Sequence, residues 1–374
     1  MMNIKLARPC IGEEEISAVV DALQKTEISG LFGSCITEFE KGFANYCECE
    51  QGIAVANGTV ALHLALATLG IGSGDEVLVS TFTNMATFFA VLYTGATPIP
   101  IDIEPDTWNM NPDLLEAKIT PKTKAILVVH IYGHPVDMDK VSAVAKKYNL
   151  FVIEDAAEAH GALYKGRKAG SLSDIACFSF FANKILTTGE GGMLTTNNAS
   201  LAAKARSLKS LAYGTENKFM HSDVGFNYRM SNIHAAIGCA QLPKVEEVIR
   251  RKREIARMYE MQLGSLAELQ LPVEKSYARN VYWMYHVVLR GRATGMRDFV
   301  TDFLATHGIE TRPAFIPANM QKVFIERGFT RPDDCPNANY VGENGFYIPC
   351  SPDITIQECR VIASCLRAAI SRAM

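Results

Sequence analysis

Short apolar runs alternate with segments of helical periodicity from about residue 52, and this alternation restricts the fold more than any other feature of the chain. The strand-like runs are "GIAVAN", "DEVLVS", "TPIPIDI", "KAILVVHIYG" and "LFVIEDAA", and the first four are followed by the helical "GTVALHLALATLG", "MATFFAVLYTG", "NPDLLEAKI" and "DMDKVSAVAKKYN". Apolar runs of this length, separated by helices, are typical of buried parallel strands. We therefore predict the α/β class, with a mostly parallel sheet flanked by helices.

The pattern changes beyond about residue 240. A long charged helix is followed by "YWMYHVVL", by "MRDFVTDFLATHGI" and by a carboxy-terminal helix. We interpret this part as a second, smaller α/β domain and divide the chain into a large domain, 1–245, and a small C-terminal domain, 246–374. The boundary is soft, because the sequence has no flexible linker or low-complexity tract near 240–250.

Composition excludes several classes of partner. The 374 residues are 48% hydrophobic and carry a formal net charge of -3, which offers no basic surface for nucleic acid or for an anionic membrane. The densest basic run, "IRRKREIARMYE", has the spacing of a solvated helix face. Apolar runs stay shorter than the ~18 to 20 residues that a membrane span needs. We expect neither a nucleic-acid nor a membrane partner.

The cysteines and the amino terminus indicate the compartment. Ten cysteines occur without the framework of a small secreted scaffold, and "MMNIKLARPC" lacks the apolar core of a signal peptide. We therefore expect reduced thiols and a cytoplasmic location. Cys47 with Cys49, and His130 with His134, have no further ligands at zinc-site spacing, so we predict no metal.

One lysine has an environment that lysines seldom have. Lys184 is the only basic residue in "FSFFANKILTTGEGGM", at 178–193. Burial would disfavour the charged form of its amine, lower the pKa and make the amine nucleophilic enough to form a Schiff base. The alternative is a solvated surface lysine, which is the common state of an isolated lysine.

Three further segments are predicted where α/β sheets bind ligands, outside the carboxyl ends of the strands. Asp155 closes the strand in "VIEDAAEAHG", and Gly58 and Thr59 join a strand to a helix in "VANGTVALHLAL". A carboxylate at Asp155 can keep a pyridine nitrogen protonated, and a helix amino terminus with nearby hydroxyls, including that of Ser179, suits a phosphate. The alternatives are a helix cap, an ordinary turn and a hydroxyl bonded to backbone.

These motifs, with "GFNYRMSNIHAAIGCAQL" at 225–242, closely resemble the sugar aminotransferases of the DegT/DnrJ/EryC1/StrS family. The resemblance extends from "ARPCIGEEEI" to "TRPAFIPANM", which is nearly the whole chain. It implies the fold type I architecture of PLP-dependent, aspartate aminotransferase-like transferases, with pyridoxal 5'-phosphate (PLP) as the cofactor. It also implies a homodimer whose active sites are shared between the subunits.

The resemblance implies roles residue by residue. Lys184 would be the lysine that holds the cofactor covalently, and Asp155 would be the partner of the pyridinium nitrogen. The phosphate would be held by Gly58, Thr59 and Ser179, with Asn227 in "FNYRM" reaching it from the other subunit.

Two positions depart from the commoner pattern of the family. Asn84 stands where many relatives have an aromatic residue that stacks on the cofactor, so the ring packing must come from elsewhere or be weaker. Glu158 stands where many relatives have Gln or His beside the cofactor. A carboxylate there would repel a phenolate unless it is protonated or turned towards the substrate. We keep both as cofactor-binding candidates, and Glu158 also as a substrate-binding candidate.

The segment "ANKILTTGEGGM" resembles family members that aminate C4 of a nucleotide-linked 4-keto-6-deoxy sugar. The expected reaction moves the amino group of L-glutamate to GDP-4-keto-6-deoxymannose and gives GDP-perosamine, in lipopolysaccharide O-antigen biosynthesis. UDP- or dTDP-linked keto sugars remain alternatives. Besides Glu158, the candidates for substrate binding are a group of cationic and aromatic side chains that suit a diphosphate and a base: His221, Arg229, Arg312 and Phe315.

Two other functions are alternatives to transamination. Sugar-nucleotide dehydratases of the same fold carry a histidine in place of Lys184, which argues against that class here. A non-catalytic regulator that binds nucleic acid would need a basic surface or a recognition helix, and the sequence predicts neither.

Overall fold

The computed structural model describes residues 3–214 and 216–374, and strands and helices alternate through its first half as predicted. The helices are α1 (Glu13–Gln24), α2 (Ser34–Tyr46), α3 (Gly58–Thr68), α4 (Met85–Tyr93), α5 (Met138–Tyr148), α6 (Ala199–Leu208), α7 (Asn232–Gln241), α8 (Val245–Leu263), α9 (Arg297–Thr306), α10 (Lys322–Ile325), α11 (Pro336–Asn344) and α12 (Ile356–Ala373). The strands are β1 (Gln51–Val55), β2 (Glu76–Ser80), β3 (Thr97–Ile101), β4 (Thr123–Val129), β5 (Phe151–Asp155), β6 (Leu163–Tyr164), β7 (Arg167–Lys168), β8 (Ile175–Ser179), β9 (Gly192–Thr196), β10 (Leu269–Gln270), β11 (Ala278–Arg279), β12 (Tyr285–Leu289), β13 (Arg312–Pro313) and β14 (Gly345–Ile348).

A seven-stranded sheet with the order β1-β9-β8-β5-β4-β2-β3 forms the centre of the first half. The strands from β8 to β3 pair in parallel, and β9 runs antiparallel to both of its neighbours. The predicted α/β class with a mostly parallel sheet is therefore confirmed. Asp155, the last residue of β5, lies beside Cys177 of β8, so the carboxyl ends of these strands meet at one edge.

Burial on both faces explains why the central strands read as continuous apolar runs. Ile126 and Leu127 of β4 point to opposite faces of the sheet, and both are fully buried. Helix α3 covers one face and is itself apolar nearly all round, with Leu62, Leu64 and Ala65 buried. This packing holds the amino terminus of α3 near the end of β8.

A second, antiparallel sheet with the order β10-β12-β14-β13 lies in the C-terminal part. Helix α11 contacts β12 and β14 of this sheet, and α12 packs against α8 and α9. The amino-terminal segment joins this part, because Ile4 pairs with Ile309 and the N–H of Cys350 donates to Leu6 O over 3.1 Å. The first residues of the range 1–245 thus contact the part of the chain that forms the second sheet, which we call the second unit. The division into two domains stays a prediction.

The segment "NPDLLEAKI" differs from its expected helix. It forms two short 3₁₀ turns, Pro112–Leu114 and Glu116–Lys118, and the chain is extended at Ile119. Pro112 is the second residue of the segment and Pro121 follows its end, and the residue before a proline disfavours the helical conformation. Too few residues remain between them to overcome the cost of helix nucleation.

Among the residues that the structure describes, no helix is long and apolar enough to cross a membrane. Within the same residues, no three His, Cys, Asp or Glu side chains come together in a way that could hold a metal ion.

Candidate active site

A cavity of about 700 Å³ opens at the carboxyl ends of the central strands, with walls from both the first and the second sheet units. Most of the residues predicted from the sequence line this one cavity. They are Gly58, Thr59, Asn84, Asp155, Glu158, Ser179, Lys184, Arg312 and Phe315. Segments spread from residue 58 to residue 315 thus converge, as expected for a parallel sheet.

Asp155 is buried, and both of its carboxylate oxygens accept hydrogen bonds. Thr87 Oγ1 donates to Oδ2 over 2.8 Å, and the N–H of Ala157 donates to Oδ1 over 3.2 Å. Thr83 Oγ1 lies 2.8 Å from Thr87 Oγ1 and extends this network. Burial raises the pKa of Asp155, and the hydrogen bond from Thr87 opposes that rise. The carboxylate is therefore held in one orientation at the wall of the cavity.

Lys184 lies in the loop after β8, and its side chain is only 11% exposed. Its Nζ is 3.7 Å from the centroid of the Trp283 ring and 3.9 Å from Glu158 Oε1. Burial lowers the pKa of the amine, while the carboxylates of Glu158 and Asp155 raise it. The amine thus loses its proton more readily than an ordinary lysine, which is the environment that the sequence predicted.

Glu158 is buried beside Lys184. Its Oε2 accepts the N–H of Tyr132 over 2.8 Å. Burial raises the pKa of Glu158, and Lys184 partly offsets this effect. A carboxyl group with a raised pKa carries a proton more of the time, and in that form it would not repel a neighbouring phenolate.

Gly58 and Ser179 meet where α3 begins. Asn57 Oδ1 accepts the N–H of Val60 over 3.0 Å and caps the helix. The N–H groups of Gly58 and Thr59 have no intrahelical acceptor, since they belong to the first turn. A Cβ on residue 58 would lie 2.7 Å from Ser179 Cβ, so only glycine allows this close approach. The arrangement is one that binds anions.

Asn84 is exposed at the mouth of the cavity and caps α4, with Oδ1 accepting the N–H of Ala86 over 3.0 Å. Its amide oxygen is thus engaged in the helix cap. Position 84 therefore supplies no aromatic ring to the cavity.

Three predicted residues do not line the cavity of their own chain. His221 and Asn227 are exposed, and Arg229 is partly buried. Arg229 Nη1 donates to Ser210 Oγ over 3.1 Å, and His221 Nδ1 lies 2.7 Å from the carbonyl oxygen of Leu211. To act on an active site, these side chains would have to reach the cavity of another copy.

Sequence reasoning missed three residues that shape the site. Thr87 holds Asp155 from 68 positions away, Tyr132 holds Glu158, and Trp283 covers Lys184. The first two carry no sequence signal, since a threonine in a helix and a tyrosine in a loop are common. Trp283 is one of two tryptophans and stands in "YWMYHVVL", which could have marked it as a candidate.

Comparison with known proteins gives a consistent picture. A sequence model of the DegT/DnrJ/EryC1/StrS aminotransferase family matches residues 9–367. The chain is 45% identical over 364 residues to a GDP-perosamine synthase of Caulobacter vibrioides, covering 97% of each chain. It is 42% identical over 358 residues to a GDP-perosamine synthase of Escherichia coli O157:H7, covering 96% of each. The PLP form of Spr1654 from Streptococcus pneumoniae superposes with a TM-score of 0.94 at 26% identity, covering 100% of both chains.

Proposed function

Because this chain belongs to the DegT/DnrJ/EryC1/StrS aminotransferase family, we propose that it moves the amino group of L-glutamate to C4 of GDP-4-keto-6-deoxymannose and forms GDP-perosamine. That the chain is a PLP-dependent sugar aminotransferase follows from its family and from its structural neighbours. The observation that carries the substrate is the similarity to two GDP-perosamine synthases over nearly the full length of both. A role in O-antigen biosynthesis depends on that same substrate.

The cavity fits PLP in three respects. The close approach of α3 to Ser179 leaves the first-turn N–H groups of Gly58 and Thr59 for a phosphate. Asp155 offers an oriented carboxylate for a protonated ring nitrogen, and Lys184 offers a buried amine for the covalent link. When bound, PLP supplies an electron sink that stabilises negative charge next to the amino nitrogen.

Each polar residue of the cavity then has a distinct task. Asp155 keeps the ring nitrogen protonated, and the Thr87 hydroxyl keeps that carboxylate in place. Lys184 Nζ takes up and releases the proton of the reacting substrate carbon, and its lowered pKa favours the release. Glu158, with its raised pKa, carries a proton beside the amine more of the time than an ordinary glutamate does.

Arg312 and Phe315 support an anionic, nucleotide-linked substrate. Both line the cavity from the second unit, and Arg312 is exposed, so its guanidinium is accessible from solvent. A guanidinium recognises a diphosphate or a carboxylate through charge-assisted hydrogen bonds, and an aromatic ring can contact a base. The glutamate carboxylate and the sugar diphosphate are therefore the two candidate ligands of Arg312.

A homodimer with shared sites is part of the proposal. Helix α1 exposes Ile16, Val20 and Leu23 along one face, and the loop before Asn227 exposes Phe219 and Met220. Exposed apolar side chains in this number support burial against a partner. A second copy is the partner that would bring Asn227, His221 and Arg229 to a cavity.

Two alternatives are less well supported. A dehydratase would need a histidine where this chain has Lys184. A keto sugar linked to UDP or dTDP would keep the same chemistry and change only the contacts to the nucleotide.

The test is product analysis. The holoenzyme is incubated with GDP-4-keto-6-deoxymannose and ¹⁵N-labelled L-glutamate, with Lys184→Ala protein as the control. We expect a labelled amino sugar by mass spectrometry and nitrogen at C4 by NMR. Nitrogen at C3, or turnover only with a UDP or dTDP sugar, would overturn the substrate. A deoxygenated product without nitrogen would overturn transamination.

A further inference from the structure

Trp283 connects the second unit to the loop that carries Lys184. Its indole Nε1 donates to the carbonyl oxygen of Asn183, the residue before Lys184, over 2.9 Å. The centroid of the same ring lies 3.7 Å from Lys184 Nζ. The indole thus contacts both the backbone that positions the lysine and the amine itself.

Trp283 is itself held firmly. It is 5% exposed, and its N–H donates to the carbonyl oxygen of Tyr132 over 2.9 Å. Its carbonyl oxygen accepts Lys252 Nζ over 2.9 Å, and the same ammonium donates to Cys350 O over 3.1 Å. Lys252 is only 4% exposed, so a buried cation is used to hold the backbone at Trp283. The indole therefore has little freedom to leave Lys184.

From this geometry we infer that Trp283 is a positioning residue for Lys184: its N–H tethers the lysine loop, and its ring face holds the amine whenever the amine is not bound to the cofactor. The inference rests on the proposed role of Lys184 in transamination. A lysine side chain has four rotatable bonds, and without such a support the released amine would sample positions away from the reacting carbon.

The ring face also affects the charge of the amine. A cation over an indole is stabilised by the ring quadrupole, so the contact favours the protonated amine. Asp155 and Glu158 act in the same direction, whereas burial acts against them. His160 stays neutral, since burial lowers its pKa to about 3. The other titratable groups that line the cavity are Tyr93, Glu190, Arg312 and Tyr347.

The first test measures the amine in the full chain without cofactor, so it does not depend on which sugar the enzyme uses. The acylation rate of Lys184 is followed against pH by peptide mass spectrometry in the wild type, in Trp283→Phe and in Trp283→Leu. Both variants lack the indole N–H, and only Phe keeps a ring face. We expect the titration midpoint in the Leu variant to lie below that in the Phe variant by about 0.4 to 1.5 pH units.

Lys168 is an internal control in every sample. Its Nζ lies 3.5 Å from the centroid of the Tyr46 ring and donates to Glu246 Oε1 over 2.9 Å, so it is a second amine held over an aromatic ring. Its acylation rate at each pH should be unchanged by substitution at position 283. Equal midpoints for Lys184 in the two folded variants would overturn the role of the ring face.

The second test measures the tether by hydrogen–deuterium exchange of the segment 181–188. We expect faster exchange in both variants, by a similar several-fold factor, because both lose the bond to Asn183 O. Unchanged exchange in both variants would overturn the tether. If the sugar assay fails while these two tests succeed, the proposed substrate is wrong and the positioning of Lys184 by Trp283 stands.

Discussion

At the scale of single residues, burial sets the protonation of the side chains that face the cavity. It raises the pKa of Asp155 and of Glu158 and lowers the pKa of Lys184. Burial thus favours the neutral form of each group, and the attraction between Lys184 and each of the two carboxylates opposes it. A bound ring cation beside Asp155 would add to that attraction and favour the carboxylate.

Asp155→Asn should lower kcat by about 10²- to 10⁴-fold, because an amide cannot keep a ring nitrogen protonated. The variant should still bind PLP, which its absorption spectrum checks. Asp174→Asn is the matched control, since the Asp174 carboxylate accepts the N–H of Val152 at the opposite end of β5. Near-normal turnover of Asp155→Asn would remove Asp155 from its role.

Arg312→Ala should lower kcat/KM by about 10- to 100-fold, the loss expected from ~1.5 to 3 kcal/mol of a charge-assisted contact. The cofactor spectrum should stay intact. Arg292→Ala serves as the control, because the side chain of Arg292 is 78% exposed beside Glu268. The glutamate and sugar concentrations are varied separately to obtain kcat/KM for each substrate. If Arg312→Ala changes kcat/KM for neither substrate, Arg312 binds neither.

At the scale of elements, helix propensity alone does not explain why α3 begins with a glycine. Alanine at position 58 would favour the helix by up to ~1 kcal/mol relative to glycine. In this fold the added Cβ would lie 2.7 Å from Ser179 Cβ, which forces α3 and β8 apart. Glycine at this position is therefore explained by the contact between two elements.

Gly58→Ala should weaken PLP binding by about tenfold or more, because the first-turn N–H groups and Ser179 would no longer converge on a phosphate. Equilibrium titration with PLP, followed by absorbance, measures this effect. Gly72→Ala is the control, since its Cβ would come no closer than 3.7 Å to Thr94 O. Equal affinities in the two variants would contradict a phosphate site at α3.

Helix α8 is attached to its neighbours by Glu246. Its carboxylate accepts the Tyr46 hydroxyl over 2.8 Å, Lys168 Nζ over 2.9 Å and Arg279 Nη2 over 3.0 Å. Burial alone would raise its pKa, but these hydrogen bonds outweigh burial and lower the pKa from 4.5 to about 2. The stability from Glu246 is therefore present above pH 4.5 and is lost as the pH falls towards 2.

Glu246→Gln should lower the free energy of unfolding at pH 7 by about 1 kcal/mol or less, since solvent screens a half-exposed carboxylate. The difference from the wild type should shrink as the pH falls below 4.5. Urea unfolding at several pH values measures it, with the exposed Glu50→Gln as the control. A difference that stays constant down to pH 3 would argue against the linkage.

At the scale of the whole molecule, the cavity and the exposed apolar residues are the two features on which the proposed dimer rests. The cavity receives residues from both sheet units of one chain, while Asn227 and Arg229 point elsewhere. A symmetric dimer would bury the apolar face of α1 and deliver these side chains to the opposite cavity.

Mixing Lys184→Ala with Asn227→Ala protein should restore activity if the sites are shared. Each mixed dimer then has one complete site, so an equal mixture should reach about one quarter of the wild-type rate. Subunit exchange is verified by native mass spectrometry with a mass-tagged chain, and each variant alone is the control. No recovery after verified exchange would contradict sharing.

Local pattern was sufficient to predict the class of fold and much of the cavity. The apolar runs identified the buried strands, and parallel strands bring their carboxyl ends to one edge, so Asp155, Ser179 and Lys184 were predictable neighbours. The family resemblance was likewise carried by motifs and is confirmed over residues 9–367.

Other features depended on contacts between segments that are far apart in the chain. The bond from Thr87 to Asp155, the ring of Trp283 over Lys184 and the clash that requires Gly58 all join different elements. Periodicity shows which side chains are buried, but it does not show which of them meet. The direction of each pKa shift likewise follows from burial and from charges that only the folded chain brings within reach.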